Sequence, residues 1–308
     1  MKAYFLKIIA ILLVTGSTLA TAQVDPSYRQ NQFNALMLNP AHAGSNSFSD
    51  VSVMVLHQWM GVPGAPKTYT VSGNFNIIDN LGLGISVLGD ETGPLNQIRG
   101  DVNLAYHIKL GKSWRFGLGL RGTLSNTVVK LTDLTIINPN DPYFQGDLTS
   151  GLGLNAGWGV LLSSKWFYLG VSQPSVVAVK FIDRDMTNFV PSNLGLIAYT
   201  GANINLGKKV IFRPNTVIRY LKNTPFNFDV NTIFTFVNTI DFGVTYQLNS
   251  GIGAILGVDI KKRFYIGYSY SYPLNSLSRG TFQSHELSLR FKFNNKDTKA
   301  QSPRFFMN

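Results

Sequence analysis

Ser284-His285-Glu286 places a hydroxyl, an imidazole and a carboxylate in succession, the side chains that acyl transfer uses as nucleophile, base and orienting acid. They sit at the start of an alternating stretch, and successive side chains on a strand point to opposite faces. Ser284 and Glu286 therefore share one face and His285 takes the other, so the three cannot converge. The chain has four histidines, His42, His57, His107 and His285, and no pair has metal-ligand spacing. His107 faces the interior side of its segment and can meet a serine or acid from another strand, as in a membrane phospholipase. The competing reading is a hydrogen-bonded interior histidine. Gly151-Leu152-Gly153-Leu154-Asn155 has the glycines of a phosphate loop but opens no helix, so that chemistry fails on context. These residues predict no enzyme, no metal site and no cofactor.

What must position such residues is a series of strands. From Asp50 to Phe293 apolar side chains alternate with small or polar ones. In 263–272, Phe264, Ile266, Tyr268, Tyr270 and Tyr272 fall on one face, and Tyr265, Gly267, Ser269 and Ser271 on the other. Around fourteen such stretches can be counted. The first seven are 50–59, 67–77, 81–89, 98–110, 113–126, 150–162 and 165–173. The second seven are 194–206, 209–221, 226–236, 239–248, 251–260, 263–272 and 284–293. An apolar exterior with a polar interior is what a closed barrel in a membrane requires. The predicted fold is all-β: a transmembrane antiparallel β-barrel of about 14 strands, with short periplasmic turns and longer extracellular loops.

The connections support this. Those at 78–80, 111–112, 163–164, 207–208, 237–238 and 261–262 are very short. The long ones, 61–66, 90–97, 127–149, 174–193 and 273–283, all follow odd strands. Several short turns carry Lys or Arg, and Trp114, Trp166 and Tyr272 lie near strand ends, where interfacial girdles belong.

Lys2 and Lys7, the apolar run Ile8 to Val14 and the small-x-small Ala20-Thr21-Ala22 read as a secretory signal peptide over residues 1–22. Its removal takes two lysines and no acid, lowering the net charge from +11 to +9. The expected organisation is a signal peptide (1–22), an N-terminal periplasmic segment (23–49), the barrel (50–293) and a C-terminal periplasmic tail (294–308). There are no cysteines, so no disulfides staple the exported chain. Charged residues make up 14% of the chain, against about a quarter in soluble domains, which favours a membrane barrel over a soluble sandwich. A nucleic-acid partner is excluded by export and by the scatter of the basic residues.

Small residues repeat on the inward face, at Gly82, Gly84 and Ser86, at Gly117 and Gly119, and at Gly151, Gly153, Gly157 and Gly159, a sign of close packing or curvature. Asp101, Arg115, Arg121, Arg213, Arg219, Asp229, Asp241, Asp259, Glu286 and Arg290 also point inward. They either line a selective channel or fill a closed lumen with ion pairs.

The segment Asn39-Pro40-Ala41-His42-Ala43-Gly44, followed by His57-Gln58-Trp59 and by Gly64-Ala65-Pro66, resembles the PorP/SprF family of outer-membrane proteins of type IX secretion in Bacteroidetes. The closing stretch that contains Ser284-His285-Glu286-Leu287 is similar to the family's, and Pro303-Arg304-Phe305-Phe306 resembles its trailing end. Asn140-Asp141-Pro142-Tyr143-Phe144 is similar to its DP-aromatic element. The family commonly has Tyr or Phe at the position of His42 and Arg at that of His57. On their own chemistry, Asn39-Pro40 opens a turn and Gly44 lets the chain reverse before the first strand. Phe33, Leu36 and Met37 suit one face of a short helix against the barrel's periplasmic mouth, and Gln58 and Trp59 the outer end of strand 1. These residues either seal and orient the barrel or contact a partner.

The resemblance implies a non-enzymatic part of type IX secretion in the bacterial outer membrane, helping to export or anchor a large cell-surface protein such as an adhesin, with a possible place in gliding. It also implies an OmpA-like, peptidoglycan-binding partner in the periplasm, with outer-membrane lipid around the barrel. The loops 127–149 and 174–193, with apolar runs at Thr135-Ile136-Ile137 and Val176-Val177-Ala178-Val179, are the expected exterior surface. The alternative is a passive or substrate-specific channel.

Overall fold

Alternation of this kind can bury each strand's polar face only if the sheet closes on itself, and it does. The computed structural model describes residues 28–134, 146–176, 195–221, 226–274 and 282–293. Among them run β1 (Ser49–His57), β2 (Lys67–Ile78), β3 (Leu81–Thr92), β4 (Leu95–Leu110) and β5 (Trp114–Val129). They are followed by β6 (Leu148–Ser164), β7 (Phe167–Gln173) and β8 (Gly195–Ala202, continued as Ile204–Leu206). The rest are β9 (Val210–Leu221), β10 (Asn227–Phe236), β11 (Ile240–Gln247), β12 (Gly251–Ile260), β13 (Phe264–Pro273) and β14 (Ser284–Phe293). Each pairs antiparallel with its neighbours, and β14 pairs with β1 from Ser49↔Phe293 to His57↔His285. The result is a closed fourteen-stranded barrel.

Exposure runs opposite to that of a soluble protein. Leu120 and Leu154 are 70% and 74% exposed, while Asn103, Asp229 and Asn231 are fully buried. Lipid is the solvent that makes such a surface stable. No helix among the described residues is long and apolar enough to cross a membrane.

Two expectations need correction. The connection 90–97 is not a loop: β3 and β4 continue to Thr92 and Leu95 and leave only Gly93-Pro94 as the turn. β1 ends at His57, so Gln58 and Trp59 lie in the following connection, Trp59 in a left-handed conformation (φ 46°).

The larger correction concerns the N-terminal segment. The sequence suggests a stretch lying at the periplasmic mouth; the structure puts residues 28–48 inside the ring. They form a plug with one helical turn, α1 (Ala35–Leu38), and a 3-10 turn, Pro40–His42. The plug crosses the lumen from one end to the other. Tyr28 Oη meets Thr70 Oγ1 at 2.5 Å, four residues into β2 from its long-connection end. Arg29 Nη2 donates to Ser250 Oγ (2.9 Å) in the turn between β11 and β12. At the other end Gly44 N donates to Asn74 Oδ1 (2.6 Å), and the chain enters β1 at Ser49 on the short-turn side.

Candidate functional site

The motif residues 39–44 are the keystone of the plug. Asn39 is fully buried and its amide is fully used. Oδ1 accepts from Ala41 N (2.7 Å), while Nδ2 donates to the carbonyls of Val160 (2.9 Å) on β6 and Val171 (3.4 Å) on β7. Pro40 begins the 3-10 turn, where its missing N–H costs nothing. Ala41 and Ala43 are fully buried. His42 is buried too. One ring nitrogen lies 2.7 Å from Tyr199 Oη and the other 3.3 Å from Ser45 Oγ.

The inward glycines explain how the plug comes so close to the wall. A Cβ at Gly119 would lie 2.2 Å from Ala41 N, one at Gly159 2.0 Å from Asn39 Oδ1, and one at Gly82 2.2 Å from Ala43 O. At these three positions the plug lies directly on the wall, whereas Gly157 meets the carbonyl of Pro174 and Gly151 meets nothing within 4 Å. Gly44 adopts φ +61° at the Gly82 contact.

The lumen charges hold the plug and pair with one another. Glu286 is 1% exposed and its carboxylate accepts from the backbone N–H groups of Arg29 (2.8 Å) and Gln30 (3.1 Å). Arg121 donates to Leu36 O (2.5 Å) and Met37 O (3.3 Å), satisfying carbonyls at the end of α1, and to Asn103 Oδ1 (2.8 Å). Arg290 lies 3.3 Å from Asp50 and stacks over the Phe33 ring at 4.0 Å, while Phe33 stacks on Tyr265 at 4.7 Å. Arg219 pairs with Asp229 (2.5 Å), and Lys292 pairs with Asp259. Arg115 is buried near the short-turn end of β5. Arg213 lines a small cavity together with Gln32, Phe33, Asp241 and Tyr265. His107, the candidate base, donates from Nε2 to Ala43 O (2.7 Å) and is a hydrogen-bonded plug contact.

Removing the Glu286 carboxylate leaves two buried N–H groups without their acceptor. Glu286→Ala is expected to cost about 3 kcal/mol. Hydrogen exchange at Arg29 and Gln30 is expected to speed up together, with strand amides unchanged.

The other predicted residues do not join this cluster. Gln58, Trp59, Gly64 and Pro66 lie in the connection after β1, at the opposite end of the barrel from Gly44. There Gln58 N donates to Pro66 O (2.9 Å), Trp59 N to Ser284 Oγ (3.1 Å) and Gly93 N to Gly64 O (2.8 Å). This connection knits the first hairpin to the second and to β14. Ser284 and Glu286 face inward, whereas His285 faces out, with Nδ1 2.6 Å from Tyr268 Oη, so no triad forms. Asp141 and Pro142, with Asn140, Tyr143 and Phe144, lie outside the described residues. So do Thr135-Ile136-Ile137, Val177-Ala178-Val179, the signal peptide and the tail 294–308. Sequence reasoning missed Arg29, Gln30, Tyr199 and Asn34, whose Nδ2 donates to Ser72 Oγ (2.9 Å), as plug contacts. Nothing in residues 28–34 repeats with a period, and Tyr199 reads as one more strand aromatic.

Residues 20–291 match the family model described as type IX secretion system membrane protein PorP/SprF. No curated protein matches the chain. Among solved structures, the Pseudomonas putida toluene transporter TodX is 11% identical, with a TM-score of 0.51, over 85% of this chain and 93% of that one. A Pseudomonas aeruginosa FadL homologue is 10% identical, with a TM-score of 0.50, over 89% of this chain and 96% of that one. At such identities the likeness is one of fold: outer-membrane barrels of similar build.

Proposed function

The chain belongs to the PorP/SprF family of type IX secretion system membrane proteins and is a barrel of the bacterial outer membrane; on that premise we propose that it works as a closed anchor and not as a passage. Its long-connection face holds a large secreted surface protein such as an adhesin. Its short-turn face meets a periplasmic, peptidoglycan-binding protein of the OmpA type, so that load on the adhesin reaches the cell wall. The observation that carries this reading is the plug. The wall's glycines and charges Glu286, Arg121 and Arg290 are committed to residues 28–44, which suits a rigid body better than a pore. The connection Gln58–Pro66, tied to Gly93 and Ser284, gives that rigid body a firm outer rim. Asp141 and Pro142 belong to the candidate contact surface on the same side.

Deleting the gene and comparing surface and secreted proteomes by mass spectrometry tests this. Loss of one large adhesin is the expected result for a dedicated anchor, and loss of every type IX substrate marks a core component. An unchanged surface proteome sinks the secretion reading.

A further inference from the structure

The short-turn rim carries basic residues in groups, each beside an outward aromatic cluster. Lys112 and Lys165 flank Trp114, Trp166 and Phe167, whose ring centroids lie 5.6 to 6.3 Å apart. Lys208 and Lys209 precede Phe212, stacked on Phe234 at 4.9 Å. Lys261, Lys262 and Arg263 precede Phe264, which packs on Phe291 at 4.8 Å. All seven basic residues are exposed, and among the described residues of the short turns Asp79 is the one acid. On the long-connection rim the described residues show no such bias, since Asp133 and Asp147 stand with Lys130 in the connection after β5.

In the third turn Lys261 and Lys262 adopt φ of 52° and 57°, the left-handed conformation of a two-residue hairpin turn, which Val237 and Asn238 adopt as well (51° and 55°) in the turn between β10 and β11. The two lysines thus stand in a tight turn directly before the Phe264 strand.

An acidic protein would engage one sector of the rim. These clusters stand on β4–β7, β8–β10 and β12–β14, around most of the circumference, and their rings face the acyl region. Aromatic rings at the headgroup level with cations just beyond them match the layering of a phospholipid leaflet. We propose that the short-turn rim forms three sites for anionic phospholipid headgroups. In each, the turn cations hold the phosphate and the upper acyl chains rest on the rings.

The test is native mass spectrometry of the full-length mature protein released from nanodiscs of equimolar phosphatidylglycerol and phosphatidylcholine. Each cation near the surface is expected to enrich the anionic lipid about fivefold, so retained lipid is expected to be mostly phosphatidylglycerol. Replacing the basic residues of one cluster by Gln (K261Q, K262Q and R263Q together) is expected to lower the retained number by one site. Heat-modifiable mobility on a gel reports whether that variant is folded. If it is not, the wild type alone decides, because its preference must fall as salt rises. Equal retention of both lipids overturns the proposal, as does a preference insensitive to salt. Displacement of the lipid by inorganic phosphate also overturns it, since that marks a bare anion site.

Discussion

Deleting residues 28–48 turns a silent barrel into a conducting one. The wild-type protein in a planar bilayer is expected to show almost no current, because the plug fills the cross-section from β3 to β14. Fourteen strands lie between the eight whose interior side chains alone can fill and the sixteen of open porins, so the emptied ring leaves a water path, and conductance is expected to rise at least about tenfold. Cells carrying the deletion are expected to become sensitive to large antibiotics that the outer membrane normally excludes. A folded, plugless barrel that stays silent would show that another segment makes the seal. Arg121→Ala, which keeps the segment but frees the carbonyls of Leu36 and Met37, is expected to give brief intermittent openings.

Adding one side chain to the wall has the second large effect. Gly119→Val puts a branched side chain where the nearest atom is the backbone nitrogen of Ala41, at 2.2 Å from the added Cβ. Backbone cannot swing aside as a side chain can, so the cost is expected at or above the upper end of about 1–3 kcal/mol for overpacking. The plug is expected to leave its seat. Gly122→Val on the same strand is the control, because its Cβ would meet nothing within 4 Å and point to lipid. The chain has no cysteine, so Ser45→Cys serves as a reporter at a buried plug position. A thiol reagent is expected to label it slowly in the native and Gly122→Val backgrounds and fast with Gly119→Val. Slow labelling in all three would mean the wall yields instead.

The barrel was legible because lipid and lumen impose opposite demands on successive residues. Tyr265 and Ile266, or Arg290 and Phe291, carry that contrast in their types. Where strands rise past the lipid the contrast disappears. Asp90, Glu91, Thr92 and Asn96 are polar on both faces, so the tip of the β3–β4 hairpin reads as a loop. The plug was hidden for a related reason. It touches protein on all sides, so residues 28–48 mix Arg, Gln, Asn, Phe and Leu without a period. Its trace was in the wall, at Gly82, Gly119 and Gly159, but repeated glycine fits curvature as well as close contact. The opposed faces of Ser284 and His285 followed from strand geometry alone, and the structure agrees.

The pairing of β14 with β1 has a consequence for assembly. Arg29 and Gln30 find their acceptor on Glu286, 257 and 256 residues away along the chain, and Gln30 finds Ser288. The strand that closes the ring is also the one that receives the start of the plug. A nascent barrel short of that strand holds two unmet edges and lacks the partners of Arg29 and Gln30, and contacts so distant in sequence form slowly. Closure and sealing are thus one event, reached only when the last hairpin arrives. An unfinished molecule shows itself to the quality control of the cell envelope as an open sheet, never as a leaking pore.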